Sequence, residues 1–369
     1  MATIPDSLSQ PLKKLWETPL QSIGLGGIAA TPDIAIASCR DLLDKRDLFQ
    51  AFDVQTGKLR WQVVQACTGE MDYGRGPRAT PLILKDRVIL LSAFGHLHCV
   101  NRQTGLSIWK KDLAKEYKAS LPTWGFSGTP LVVDDLLITQ VGSRTANLVA
   151  FDISTGKEQW RSGTQAISYS SFVYGSPHGK AQAVGLDEKS IGGWDLETGQ
   201  RLWTIAPKVS GDFNVPTPLL RDDMLWLISE NNGLRRYRFV DGIPLPDAEA
   251  TQLDLCPDSH TPILLGDRLY VAYEGLHVLD AISLDTLWTS DDEHLLGYAS
   301  MIGNEVRLLI LTQSGDLTLF DVSQPIPTQL SSLSLGTEID FQSHPAVCEG
   351  RFFVRTGQAL ACFEFQGRN

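Results

Sequence analysis

Along the chain, apolar residues come in runs of strand length, interrupted every few positions by Gly, Asp, Asn or Pro. Leu82, Ile83 and Leu84 are followed by Val88 to Ala93, a turn residue at Gly95, and Leu97 to Val100 before the segment that carries Trp109. Local alternation, β-branched content and closely spaced turn residues predict antiparallel hairpins, not helices.

The hairpins repeat. The segment Asp53 to Trp61, reading DVQTGKLRW, returns as Asn101 to Trp109, Asp152 to Trp160, Asp195 to Trp203 and, without its Thr-Gly, Asp280 to Trp288. These tryptophans are 48, 51, 43 and 85 residues apart, and Trp16 lies 45 before Trp61. The last interval is close to two periods, so a degenerate copy is expected near Asp241 to Leu245, and another, without Trp, at Asp321 to Gln329. A second marker is a Pro that opens an apolar run: Thr80-Pro81, Thr129-Pro130, Ser176-Pro177, Thr217-Pro218, Thr261-Pro262 and His344-Pro345. A turn residue follows most of these prolines at one fixed distance: Asp86, Asp135, Asp223, Asp267 or Gly350.

A unit of about 45 residues holding four short strands is the blade of a β-propeller. The repeat positions number eight. With the strands called A to D from the axis outward, the Pro marker opens A and Thr-Gly joins C to D. In that turn Gly57, Gly105, Gly156 and Gly199 are expected to take positive φ. Trp16, Trp61, Trp109, Trp160, Trp203 and Trp288 are expected to fill the space between neighbouring wedges, each indole N–H donating to a main-chain carbonyl. Trp16 precedes any A strand, and Ala359 to Phe363 ends the chain as a C strand lacking a D. Residues about 12–20 should therefore pair with about 358–364, closing an all-β, eight-bladed propeller across one domain, residues 1–369, with no open sheet edge.

Composition is that of an ordinary globular chain: 43% hydrophobic and 20% charged over 369 residues. A net charge of -11 opposes nucleic acid and anionic lipid as partners. No apolar run reaches the roughly 20 residues of a spanning helix, so membrane insertion is not expected. Six cysteines without a CxxC pair fit free thiols. The start, Met1 to Asp6, shows no basic stretch followed by an apolar one. Together these favour the cytoplasm, with the periplasm as the alternative if the chain is a trimmed mature form.

The repeat resembles the PQQ-like propeller motif Ala-x-Asp-x-x-Thr-Gly-x-x-x-Trp. It is met by Ala51, Asp53, Thr56, Gly57 and Trp61 and by Ala150, Asp152, Thr155, Gly156 and Trp160. A third copy, Asp195, Thr198, Gly199 and Trp203, has Gly193 where the motif has Ala. The resemblance implies one of two roles: a quinoprotein dehydrogenase holding pyrroloquinoline quinone and Ca²⁺, or the non-catalytic propeller subunit of the bacterial outer-membrane β-barrel assembly machinery. The chain departs from the enzymes in having no adjacent cysteines, and Asp86, Asp134, Asp135, Asp222, Asp223 and Asp267 fall at hairpin tips. Cytoplasmic relatives lie beside ATPases and von Willebrand factor A-like modules, which implies such an assembly as partner.

Other clusters read as structural. His96 and His98 share a strand face beside Cys99 but supply too few ligands for a closed zinc site. Asp291, Asp292, Glu293 and His294 form a solvated acidic loop. No phosphate loop, GxSxG elbow or HExxH is present. The long D-to-A connections, by contrast, gather Tyr73, Arg75, Arg78, Trp124, Phe126, Tyr174, Phe213 and Tyr298 on one face of the disc. Aromatic and Arg side chains on loops of a rigid scaffold are the usual material of protein-binding surfaces. The expectation is a non-catalytic scaffold without cofactor: a monomeric propeller within a hetero-complex, docking a protein partner over that face. A quinone and Ca²⁺ dehydrogenase, or a small-ligand sensor using the axial funnel, is the alternative.

Overall fold

The computed structural model describes residues 4–8, 11–290, 292, 295, 297–336 and 343–365. Eight antiparallel sheets form the blades of a propeller. Blade 1 consists of Ala29–Ala30, Ile34–Arg40, Arg46–Asp53 and Leu59–Ala66, strands A to D in order. Blades 2, 3, 4, 6 and 7 repeat that order, with A strands opening at Leu82, Leu131, Val173, Ile263 and Ala299. Blade 8 takes Ala346–Cys348, Arg351–Arg355 and Ala359–Glu364 from the end of the chain and Lys13–Pro19 from its start, pairing Trp16 with Cys362.

Between blades 1 and 4 and across the closing seam, one lock recurs. The indole of Trp16 donates to the Val54 carbonyl at 2.9 Å, Trp61 to Arg102 at 2.8 Å, Trp109 to Ile153 at 2.9 Å and Trp160 to Leu196 at 2.8 Å. Each acceptor directly follows the Asp or Asn that opens the next blade's C-to-D turn. That turn is held by the carboxylate: Asp53 Oδ1 accepts from the Thr56 N–H and hydroxyl at 2.9 and 2.8 Å. It brings Gly57, at φ +67°, flat against the Trp16 ring, where an added Cβ would lie 2.6 Å away. Gly156 under Trp109 repeats the contact at φ +70° and 2.7 Å. Glycine is required twice over, by the left-handed backbone and by the ring. The residue opposite each Trp in the ladder is small, Ala51, Cys99 or Ala150, which explains the Ala of the motif.

The lock changes where the motif decays. Gly193 faces Trp203 across the ladder, and without a Cβ there the indole turns inward and donates to Gln182 Oε1 of its own blade at 2.6 Å. The carbonyl expected from the sequence is thus replaced by a side chain. In blade 5 the D strand is broken into Ile243–Pro244 and Ala250–Gln252, and it carries no Trp. Trp226, on strand B, donates instead to Ala281, again the residue after the turn Asp, at 2.7 Å. Trp288 pairs with Val278 in its ladder, but its indole makes no hydrogen bond among the described residues. Between blades 7 and 8 the Trp register falls on Ser331, opposite Leu319, and not on the expected Gln329, because the C-to-D turn is longer. The gap is filled from the chain start, where the Leu8 N–H donates to the Ser331 hydroxyl at 3.1 Å and Ile4, Leu8 and Leu12 pack with Leu309, Leu317, Phe352 and Phe365.

Nearer the axis an arc of hydroxyls ties the A-strand entries of blades 2 to 6. The N–H groups of Thr80, Thr129, Ser171 and Thr217 each donate to the hydroxyl of the next blade's counterpart: Thr129, Ser171, Thr217 and Thr261. This corrects one member of the Pro ladder. Ser171, not Ser176, holds the position in blade 4, and Pro177 lies beyond strand A in a single 3₁₀ turn, Pro177–Gly179. The Pro there marks the A-to-B connection, so its spacing alone misled.

Candidate functional site

The D-to-A loops and B-to-C turns share one face of the disc. The loop after blade 2 begins with a short helix, Leu113–Tyr117, capped by the Asp112 carboxylate, which accepts from the Lys115 N–H at 3.0 Å. Leu113 and Tyr117 are buried, and the Tyr117 hydroxyl donates to Glu158 at 2.6 Å. Downstream, Gly125 turns the chain at φ +69°, and Phe126 drives its ring over Gly95 while its N–H donates to the Ala93 carbonyl at 2.9 Å. Phe126, grouped by sequence with the exposed aromatics, is 1% exposed and anchors the loop from below.

That anchor presents Trp124. Its ring centre lies 4.7 Å from Tyr169, 4.6 Å from Phe213 and 6.4 Å from Tyr73, residues from three other D-to-A loops. Hydrogen bonds to main-chain carbonyls stitch the loops together: the Tyr169 N–H donates to the Asn214 carbonyl at 3.2 Å, and the Ser127 hydroxyl to the Tyr169 carbonyl at 3.0 Å. Buried Asn214, at φ +56°, donates from its side chain to the Asp187 carbonyl at 2.9 Å. The result is a groove of about 760 Å³ bounded by Leu121, Trp124, Ile167, Tyr169, Pro207 and Phe213. Phe213 remains 52% exposed and Tyr73 78% exposed on this rim.

The arginines are differently employed. The Arg78 guanidinium donates to the carbonyls of Asp72, Gly74 and Gly76, at 2.6 to 2.8 Å, and so shapes its own loop. Arg75 pairs with Asp44 and with Glu70. Tyr174 lies within strand A of blade 4, half-exposed, not in a D-to-A loop. Tyr298 lies on the same face, its hydroxyl 3.4 Å from Asp258. The charge of Asp258 and then burial push the Tyr298 phenol up. Burial first, and then the charges of Asp212 and Asp258, raise the Glu230 carboxyl, which accepts from the Phe213 N–H. Glu230, Asp258 and Asn214 carry no repeat marker, and only the folded loops bring them to the aromatics.

Burial lowers the His98 imidazole to about 4, and His96 bonds Ser92 at 3.2 Å. Asp291, Glu293 and His294 of the acidic loop lie outside the described residues. Among the described residues no three His, Cys, Asp or Glu side chains converge as metal ligands, and all six thiols are unpaired. The carboxylate cluster that a Ca²⁺ ion takes is thus not found among the described residues.

A family model described as PQQ_2, outer membrane protein assembly factor BamB, matches residues 44–206 and 144–369. The chain belongs to this family. Among solved structures it is similar to BamB from Moraxella catarrhalis, at 16% identity and a TM-score of 0.66, over 96% of this chain and all of that one. It is also similar to the quinohemoprotein alcohol dehydrogenase of Comamonas testosteroni, at 13% identity and a TM-score of 0.68, over 100% of this chain and 79% of that one. By sequence the same dehydrogenase is 26% identical over 192 residues, 47% of this chain and 26% of the relative. The chain thus spans about a quarter of that relative, and at these identities the structures share the fold alone.

Proposed function

We propose that this BamB-family propeller is a non-catalytic scaffold that docks a protein partner in a larger bacterial assembly, through the groove built on Trp124, Tyr169 and Phe213. The observation that carries the reading is the groove itself: aromatics from separate blades, cross-braced by main-chain bonds, present a contiguous apolar surface on a rigid frame. Rigid aromatic anchors lose little conformational freedom on binding and dominate such interfaces. Arg78 belongs to the scaffold beneath, not to the contact. The finer suggestion of an ATPase or von Willebrand factor A-like partner rests on the motif resemblance alone, and six unpaired thiols support a reducing compartment for the complex.

Replacing Trp124 and Phe213 together by Ala tests the reading. A tagged protein captured from its native host should lose its stoichiometric partner, while the thermal midpoint stays within a few degrees of the parent, because Phe213 is half-exposed. A partner retained by the double variant contradicts the reading.

A further inference from the structure

At the seam where the chain closes, a second cavity of about 740 Å³ lies between the D-to-A loop of residues 21–25, the B-to-C turns of blades 1 and 8, and Tyr73 to Gly76. It shares no lining residue with the aromatic groove, which it meets where Tyr73 touches Trp124. Arg355, the last residue of strand B in blade 8, is 4% exposed and lines this cavity. Its guanidinium donates to the main-chain carbonyls of Ser38 and, at 3.4 Å, Ser22. Its Nε is buried without an acceptor, and among the described residues no carboxylate lies within ion-pair distance of it. The neighbouring arginine shows the usual solution: Arg40, equally buried, is neutralised by Asp47 at 2.9 Å and Asp44 at 2.7 Å.

A buried guanidinium left with neutral acceptors is costly, and a concave site around it identifies an anion as the missing partner. We infer that the cavity binds a carboxylate carrying an apolar substituent, its charge on Arg355 and its chain against Ile23, Leu25 and Leu42. A singly charged group is favoured because the lining holds three arginines, Arg40, Arg75 and Arg355, against two carboxylates, Asp41 and Asp44, and both carboxylates are already engaged by Arg40, Arg75 and Arg46, which leaves one net positive charge, on Arg355. Burial pulls the Arg355 pKa down to about 10, so the side chain keeps its charge at neutral pH.

Titration calorimetry of the full chain with four probes tests this: N-acetyl-glycyl-leucine, its C-terminal amide, hexanoate and inorganic phosphate. The two acids should bind one to one, and the amide and phosphate should not. Arg355→Met should abolish binding. Leu42→Glu, at a side chain 81% exposed and indifferent to folding, should weaken binding about tenfold or more by placing a like charge on the rim. Hexanoate binding as tightly as the dipeptide assigns the site to free organic acids; preference for the dipeptide assigns it to a polypeptide terminus. Equal binding of acid and amide, preference for phosphate, no binding of either acid, or unchanged binding in Leu42→Glu overturns the proposal. So does unchanged binding in a folded Arg355→Met. This test needs no captured partner, so it fails or succeeds apart from the docking reading.

Discussion

Blades 1 to 4 and blades 5 to 8 solve one problem in two ways. In the first half each interface is closed by the same parts in the same register: a D-strand indole, the carbonyl after the next blade's turn Asp or Asn, and a glycine under the ring. In the second half, the closing seam at Trp16 aside, the indole arrives from strand B, lacks a hydrogen bond, or gives way to Ile4, Leu8 and Leu12. The carbonyl after the turn Asp is nonetheless capped at Ala281 as it is at Ile153. What persists is the physical requirement, a wedge filled with apolar volume and one carbonyl given a donor; the residue that meets it is free to move.

The comparison breaks most sharply at the tryptophans. Trp61→Ala should cost about 3–5 kcal/mol in urea unfolding, because it opens a buried gap and orphans the Arg102 carbonyl. Trp288→Ala, with no such bond, should cost about half as much; equal losses would show that the regular lock has no special worth. Trp226→Phe keeps most of the ring volume and removes the bond to Ala281, so a loss of about 1–2 kcal/mol is expected. No loss would mean that Trp226 only fills space.

Acid should act through the turns of the regular half. The hydrogen bonds of Arg60 and Thr56 hold the Asp53 carboxyl at about 2, and the hydroxyls of Ser154 and Thr155 hold Asp152 at about 2. A carboxyl depressed in the folded state contributes stability that is full above its free value near about 4 and is lost as pH falls towards about 2. The thermal midpoint should drop across that window. Asp53→Asn with Asp152→Asn, imitating Asn101 in blade 2, should flatten the drop; an unaltered acid limb would place its origin elsewhere.

The fold was legible because its markers are local and periodic. Asp53, Thr56, Gly57 and Trp61 announce a turn and a docking ring within nine residues of chain, and Trp16 announced the closing strand through its phase. Legibility ended where structure depends on unrelated segments. Ser176-Pro177 fits the Pro spacing but lies past its strand, whereas Ser171, with no Pro beside it, supplies the hydroxyl. Phe126 and Arg78 have the right residue types for a contact surface, yet packing over Gly95 and three carbonyls of its own loop use them internally. Nothing in the neighbourhood of Glu230, Asp258 or Arg355 along the chain signals the faces they meet.

The docking account is tested most directly by site-specific photocrosslinking in the native host, with benzoylphenylalanine placed at Phe213 on the aromatic groove or at Leu106, 70% exposed on the C-to-D turn of the opposite face. A discrete protein adduct from position 213 and none from 106 is the predicted result. Adducts from 106 with none from 213 would contradict it.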